Sequence, residues 1–221
     1  MRPVHGSLTY GQYGVDYRER TRTLFGQTMG LVAVTAGFFA LGAYAGRNVA
    51  HTVAFGAYIV AFVVLLIMQF AVRRSAGFST VLLLIFGLLI GVASSPMLVY
   101  YAATDPKILW QAGGATALFI AAFGSIGYLT RRNLFWLARV SFFALLLLFA
   151  FGIAAIFVNI PHGSLVYAGL GLVVFAGLTM VDFQRLRRSQ GLNSAPLIAA
   201  SIFLDILNVF FFFLRIFGRQ N

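Results

Sequence analysis

The sequence predicts an all-α integral membrane protein, a bundle of seven transmembrane helices with the last helix at its centre. Three observations carry this. The 221 residues are 61% hydrophobic and only 10% charged, where a soluble domain carries about 25% charged residues. Seven apolar windows are each long enough for a bilayer core of ~30 Å, which needs about 20 helical residues. The last window alone carries a polar seam on one face, so it belongs inside the bundle.

Residues 1–22 form a polar tail, with Asp16, Glu19 and several aromatic and histidine residues and no early apolar core. It does not read as a signal peptide, and is expected to be disordered or to lie on the membrane surface. The transmembrane domain is 23–221. Its spans fall at roughly 23–45, 52–72, 77–100, 108–129, 134–158, 163–184 and 197–217. The breaks are short and polar: GRNVAH, RRSAG, TDPK, TRRN, NIPHG and RRSQGLNSAP. None has room for an extramembrane domain.

Arginine placement orients the chain. The tail and the breaks after spans two, four and six hold Arg2, Arg18, Arg20, Arg22, Arg73, Arg74, Arg131, Arg132, Arg185, Arg187 and Arg188. The opposite side has Arg47, Lys107, Arg215 and Arg219, and Arg139 lies just inside span five. Loops rich in Lys and Arg stay in the cytoplasm, so the N-terminus is expected there and the C-terminus outside. A re-entrant seventh segment is the alternative, because Arg215 and Arg219 close it. The net charge of +11 is read as this loop bias, with no nucleic-acid partner.

Glycines mark places where helices can approach closely. Gly42 and Gly46 form a GxxxG pair, and Gly113/Gly114, Gly124/Gly127 and Gly169/Gly171 add others. The plainer reading is that glycine is simply common in membrane helices.

Several classes are excluded. The chain has no cysteine, so disulfide and thiolate chemistry are absent. The single lysine, Lys107, lies in a loop, which rules out a retinal Schiff base in the bundle. His5, His51 and His162 stand apart in the tail and outer loops and make no metal site. No cofactor and no enzymatic activity are expected.

Only five acidic residues exist, and two lie in spans: Asp182 near the end of span six and Asp205 in span seven. A charge at the centre of a membrane helix costs about 2.5–3.5 kcal/mol on insertion scales, so such residues usually face the bundle interior and mark an ion or proton pathway. Spans six and seven are consecutive and form a hairpin. The midpoint of 182 and 205 is 193.5, close to the centre of the break SQGLNSAP at 189–196. The two carboxylates should therefore be level, with Arg185, Arg187 and Arg188 snorkelling to the interface. Ser201, Asp205, Asn208 and Arg215 follow helical spacing and make the polar seam. Two adjacent carboxylates cannot easily both ionise. They share a proton, hold a cation or recruit an arginine, and as hard oxygen ligands they suit Ca²⁺, though two fall short of its usual six to eight oxygens. The bland alternative is that each aspartate satisfies a helix end or an arginine such as Arg185.

At these residues the sequence resembles the Bax inhibitor-1 family, also called the TMBIM family. The closing stretch IFLDILNVFFFFLRIFG, 202–218, is similar to the family's final motif at Asp205, Asn208, Leu214, Arg215 and Gly218. GLTMVDFQRLR, 177–187, is similar to the end of its sixth helix at Gly177, Asp182, Gln184 and Arg185, and GLLIGVASSPMLVYY, 87–101, to its small-residue third helix. Val181 and Ile206 stand where the family has aromatics.

The resemblance implies a calcium leak across the membrane, gated by protons and cations at Asp182 and Asp205. The short loops suggest a bacterial inner membrane, with an organelle membrane as the alternative. The resemblance also implies an arginine latch near the end of span two, for which Arg73 and Arg74 are the candidates. Two alternatives stand beside the channel. One is a non-conducting regulator that binds a membrane protease or a cell-death protein. The other, more remote, is an intramembrane aspartyl protease, which would want GxGD at the second acid where this chain has IFLD.

Overall fold

The computed structural model describes residues 9–71, 75–157, 163–189 and 194–219. These hold seven α-helices: α1 (Thr9–Ala45), α2 (His51–Ala71), α3 (Ala76–Thr104), α4 (Pro106–Leu129), α5 (Phe135–Phe157), α6 (Gly163–Arg188) and α7 (Ala195–Phe217). All seven are long and apolar enough to cross a membrane. Each span expected from the sequence is therefore a helix.

Three element ends differ from expectation. α1 starts at Thr9, so the second half of the polar tail continues the first span as helix. No proline interrupts residues 9–22, and their Arg, Gln and Glu tolerate the helix well. At 37 residues and 1.5 Å each, α1 is about 55 Å long, well over the thickness of the hydrocarbon core. The TDPK break shrinks to one residue. Asp105 ends α3 and caps α4, its Oδ1 accepting from Lys107 N at 3.0 Å, with Pro106 in the first turn where no amide is needed. The third difference, at the start of α7, is described with the site.

Pro96 lies inside α3 and leaves the Val92 carbonyl without its i+4 donor, a serious loss in lipid. Ser95 Oγ repairs this locally. It lies 2.7 Å from Val92 O and 2.7 Å from Gly46 O, so it also ties α3 to the 3₁₀ turn Gly46–Asn48 that follows α1.

The α1–α3 crossing depends on glycine from both helices. A Cβ on Gly42 would strike the Leu88 backbone, and one on Gly91 the Phe39 and Ala43 backbone. Without water inside a bilayer, such close backbone approach is the main source of helix association. Gly127 meets the Met180 backbone of α6 in the same way and Gly124 lies against the Phe183 ring, whereas Gly113, Gly114 and Gly169 face open space. The expectation of close approach thus holds at some glycines and the plainer reading at others.

The packing has two similar halves. α1 and α2 both pack on α3, and α4 and α5 both pack on α6, while α7 touches α1, α3, α4 and α6. α7 has 56% of its most apolar window buried, the largest share of any helix. It is the central element, as its polar seam predicted. Its far end meets the start of α6 and the end of α3: Arg219 Nη1 donates to Ser164 Oγ at 2.6 Å, and Gly218 abuts the Tyr101 ring. α7 therefore crosses the whole bundle and is not a re-entrant segment.

Candidate functional site

The site is built by the α6–α7 hairpin. Three contacts fix its register. Ser201 Oγ donates to Asp182 Oδ2, Arg219 donates to Ser164, and the Phe212 ring fills the space left by Gly171. Each pair is centred between residues 191 and 192. The level arrangement expected for Asp182 and Asp205, centred at 193.5, is therefore corrected. Asp182 is level with Ser201, and Asp205 lies one helical turn deeper, about 6 Å at 1.5 Å per residue. The cause is Pro196. The sequence reading counted it as part of the break, but it occupies the first turn of α7, where proline suits a helix start.

One turn still leaves the two carboxyls near enough to interact electrostatically. Asp182 is half-buried, takes the Ser201 hydroxyl, and feels the charge of Arg185 one turn on, itself exposed. Asp205 is buried, with 4% of its surface exposed. It faces Thr179, which precedes Asp182 by one turn on α6. Yet Thr179 Oγ1 and Asp205 Oδ2 are both buried without a well-formed hydrogen-bond partner. Buried polar atoms nearly always have a partner, and an unpaired carboxylate oxygen is especially costly. The pair is thus a built polar site with an open demand for a proton, a water or a cation.

Among the described residues there is no cluster of three His, Cys, Asp or Glu side chains. Two carboxyls with the Ser201 and Thr179 hydroxyls are hard oxygen ligands, fewer than the six to eight of a full Ca²⁺ shell.

The remaining candidates are dispersed. Asn208 turns its amide back to Leu204 O, 2.8 Å away in its own helix. Arg215 is exposed, with its guanidinium 5.1 Å from the Tyr167 ring at the opposite end of the hairpin, and is no partner for the pair. Arg73 and Arg74 lie outside the described residues. The expectation that Arg187 and Arg188 merely snorkel is also corrected. Arg187 donates through Nη1 to Tyr128 O and through Nη2 to Thr130 O, both at 2.6 Å, and Arg188 Nη1 reaches Asn133 Oδ1 at 3.2 Å. Carbonyls in the last turn of α4 lack helical donors, and the planar arginine fork suits two of them at once.

The sequence reading missed two contributors. Gln184 joins α6 to the α4–α5 break, its Nε2 donating to Arg132 O at 2.8 Å and its Oε1 accepting from Leu134 N at 3.0 Å. Thr179 was legible from its spacing, three residues before Asp182 on the same face.

Comparison with known proteins places the chain among membrane proteins. The family described as "Inhibitor of apoptosis-promoting Bax1" matches residues 21–221. An uncharacterized membrane protein of Streptococcus pyogenes serotype M1 is 28% identical over 174 residues, covering 76% of this chain and 75% of that protein. A Helicobacter pylori protein is 29% identical over 148 residues, covering 66% of this chain and 64% of its own length.

Proposed function

The chain belongs to the Bax inhibitor-1 family of membrane proteins, and on that premise we propose that it is a pH-sensitive calcium leak pathway, gated at Asp182 and Asp205. Its membrane is the bacterial inner membrane, with the N-terminus in the cytoplasm. The observation that carries the reading is Asp205: a buried carboxyl, deep in the central helix, with one oxygen unpaired. A proton there removes the charge and satisfies the oxygen. A passing Ca²⁺ would satisfy the same oxygen by displacing the proton. The two occupants compete for one site, which couples flux to pH without any further device. Ser201 holds Asp182 in place beside it.

The aspartyl protease reading fits poorly. Its two carboxylates must flank one water, and here Ser201 occupies an oxygen of Asp182 while Asp205 is a turn away.

The test is Ca²⁺ flux into proteoliposomes across pH, for the wild type and Asp205→Asn. A pH-dependent flux that loses its pH response in the variant is expected. No flux from the wild type, together with co-purification of a membrane-protein partner, would establish the non-conducting regulator instead.

A further inference from the structure

α1 and α4 flank α7 and meet each other at the Phe25 and Tyr128 rings. Between them an apolar crevice of about 620 Å³ opens sideways. Its exposed rim is small, Ala36 of α1 and Ala117 and Ala121 of α4, while bulkier groups such as Phe39, Phe203 and Phe210 line its interior. From residue 113 to residue 125 of α4 the crevice runs about 18 Å along the membrane normal at 1.5 Å per residue. It narrows where the Phe25 and Tyr128 rings meet edge to face at 5.3 Å. Just past that contact, one turn before Phe25 and three residues after Tyr128, stand two exposed arginines, Arg22 and Arg131.

We propose that this crevice is a lipid site, holding one acyl chain of an anionic phospholipid whose phosphate is met by Arg22 and Arg131. The argument for that occupant has three parts. All seven helices are apolar enough to lie in a bilayer, so the medium at the mouth of a sideways crevice is lipid tails. The crevice is long for its volume, largely apolar along its length and rimmed by small residues, and matches a chain better than a globular ligand. Its charged end carries the sign that draws anionic headgroups, at the membrane surface where a phosphate lies. Nothing forces the crevice shut, because lipid tails are as apolar as its walls.

The test uses the full chain in nanodiscs containing phosphatidylglycerol with a photoreactive diazirine in one acyl chain, and adducts are mapped by mass spectrometry. Adducts should concentrate on Ala117, Ala121, Ile206 and Phe210. Gly113→Phe fills the crevice from a position with no atom near its Cβ, so it should lower those adducts about tenfold by exclusion. Gly114→Phe, equally unhindered but outside the lining, should leave them unchanged. Ala117→Phe repeats the block should the first variant prove unstable. Arg131→Gln should reduce the preference for phosphatidylglycerol over phosphatidylcholine. Labelling spread evenly to the exposed residues Leu147 and Phe157 of α5, or unaffected by either crevice block, would overturn the proposal. So would cross-links from the crevice to a second protein chain.

Discussion

Ser201 donates its hydroxyl hydrogen bond to Asp182 one full turn before Asp205, so the two acids of the hairpin have unlike surroundings. One is half-buried and hydrogen-bonded. The other is buried with an oxygen unpaired. In the proposed leak pathway the acids would divide the work, with Asp205 the group whose occupant matters.

That division separates two substitutions. Asp205→Asn should abolish the pH response of Ca²⁺ flux. Ser201→Ala should preserve a response but move its midpoint by about one pH unit, because a hydrogen bond to a charged group is worth ~1.5–3 kcal/mol and one unit is ~1.4 kcal/mol. Ser201→Thr, which keeps the hydroxyl, should leave the midpoint in place. Identical profiles for Ser201→Ala and the wild type would remove Ser201 from the site.

Close backbone contact should make some glycines costly to replace and others free. Gly91→Leu drives a side chain into the Phe39 and Ala43 backbone. Overpacking of this kind costs about 1–3 kcal/mol or more, or a fall of about 5 °C in melting temperature for a chain this size. Gly114→Leu meets nothing and should melt no lower than the wild type. Thermal melts in one detergent compare the two directly.

The Arg187 clamp should depend on shape as well as charge. Its two nitrogens reach two carbonyls of α4 and its cap. An ammonium is a single point with no such fork. Arg187→Lys should then cost nearly as much stability as Arg187→Ala, about 1.5–3 kcal/mol. Faster hydrogen exchange at residues 128–134 in both variants is the local readout.

Seven crossings put the two ends of the chain on opposite faces. The absence of cysteine makes this simple to check. In intact cells, Arg219→Cys should react with an impermeant maleimide and Arg131→Cys should not, as the arginine bias predicts. The reverse pattern would invert the assigned orientation.

Much of this was legible in the sequence because lipid imposes strict rules. Span number, the central place of α7 and the burial of Asp205 follow from apolar length and from the rarity of charge within spans. The register did not follow. It turned on Pro196, which can end one element or begin the next, and a misreading of two residues changed "level" to "one turn apart". Arg187 was hidden for a different reason. A cluster of arginines at a helix end looks the same whether it reaches water or a neighbouring carbonyl, and only the fold brings Tyr128 and Thr130 within reach.

The two halves of the bundle have one more consequence. α1–α3 and α4–α6 share a packing pattern, and three crossings separate their starting points. The second half thus repeats the contact pattern of the first while starting from the opposite face of the bundle. A single residue, Asp105, separates α3 from α4, which leaves α7 as the main shared contact. α7 therefore joins the two halves, and any displacement of one against the other would be felt along the helix that carries Asp205.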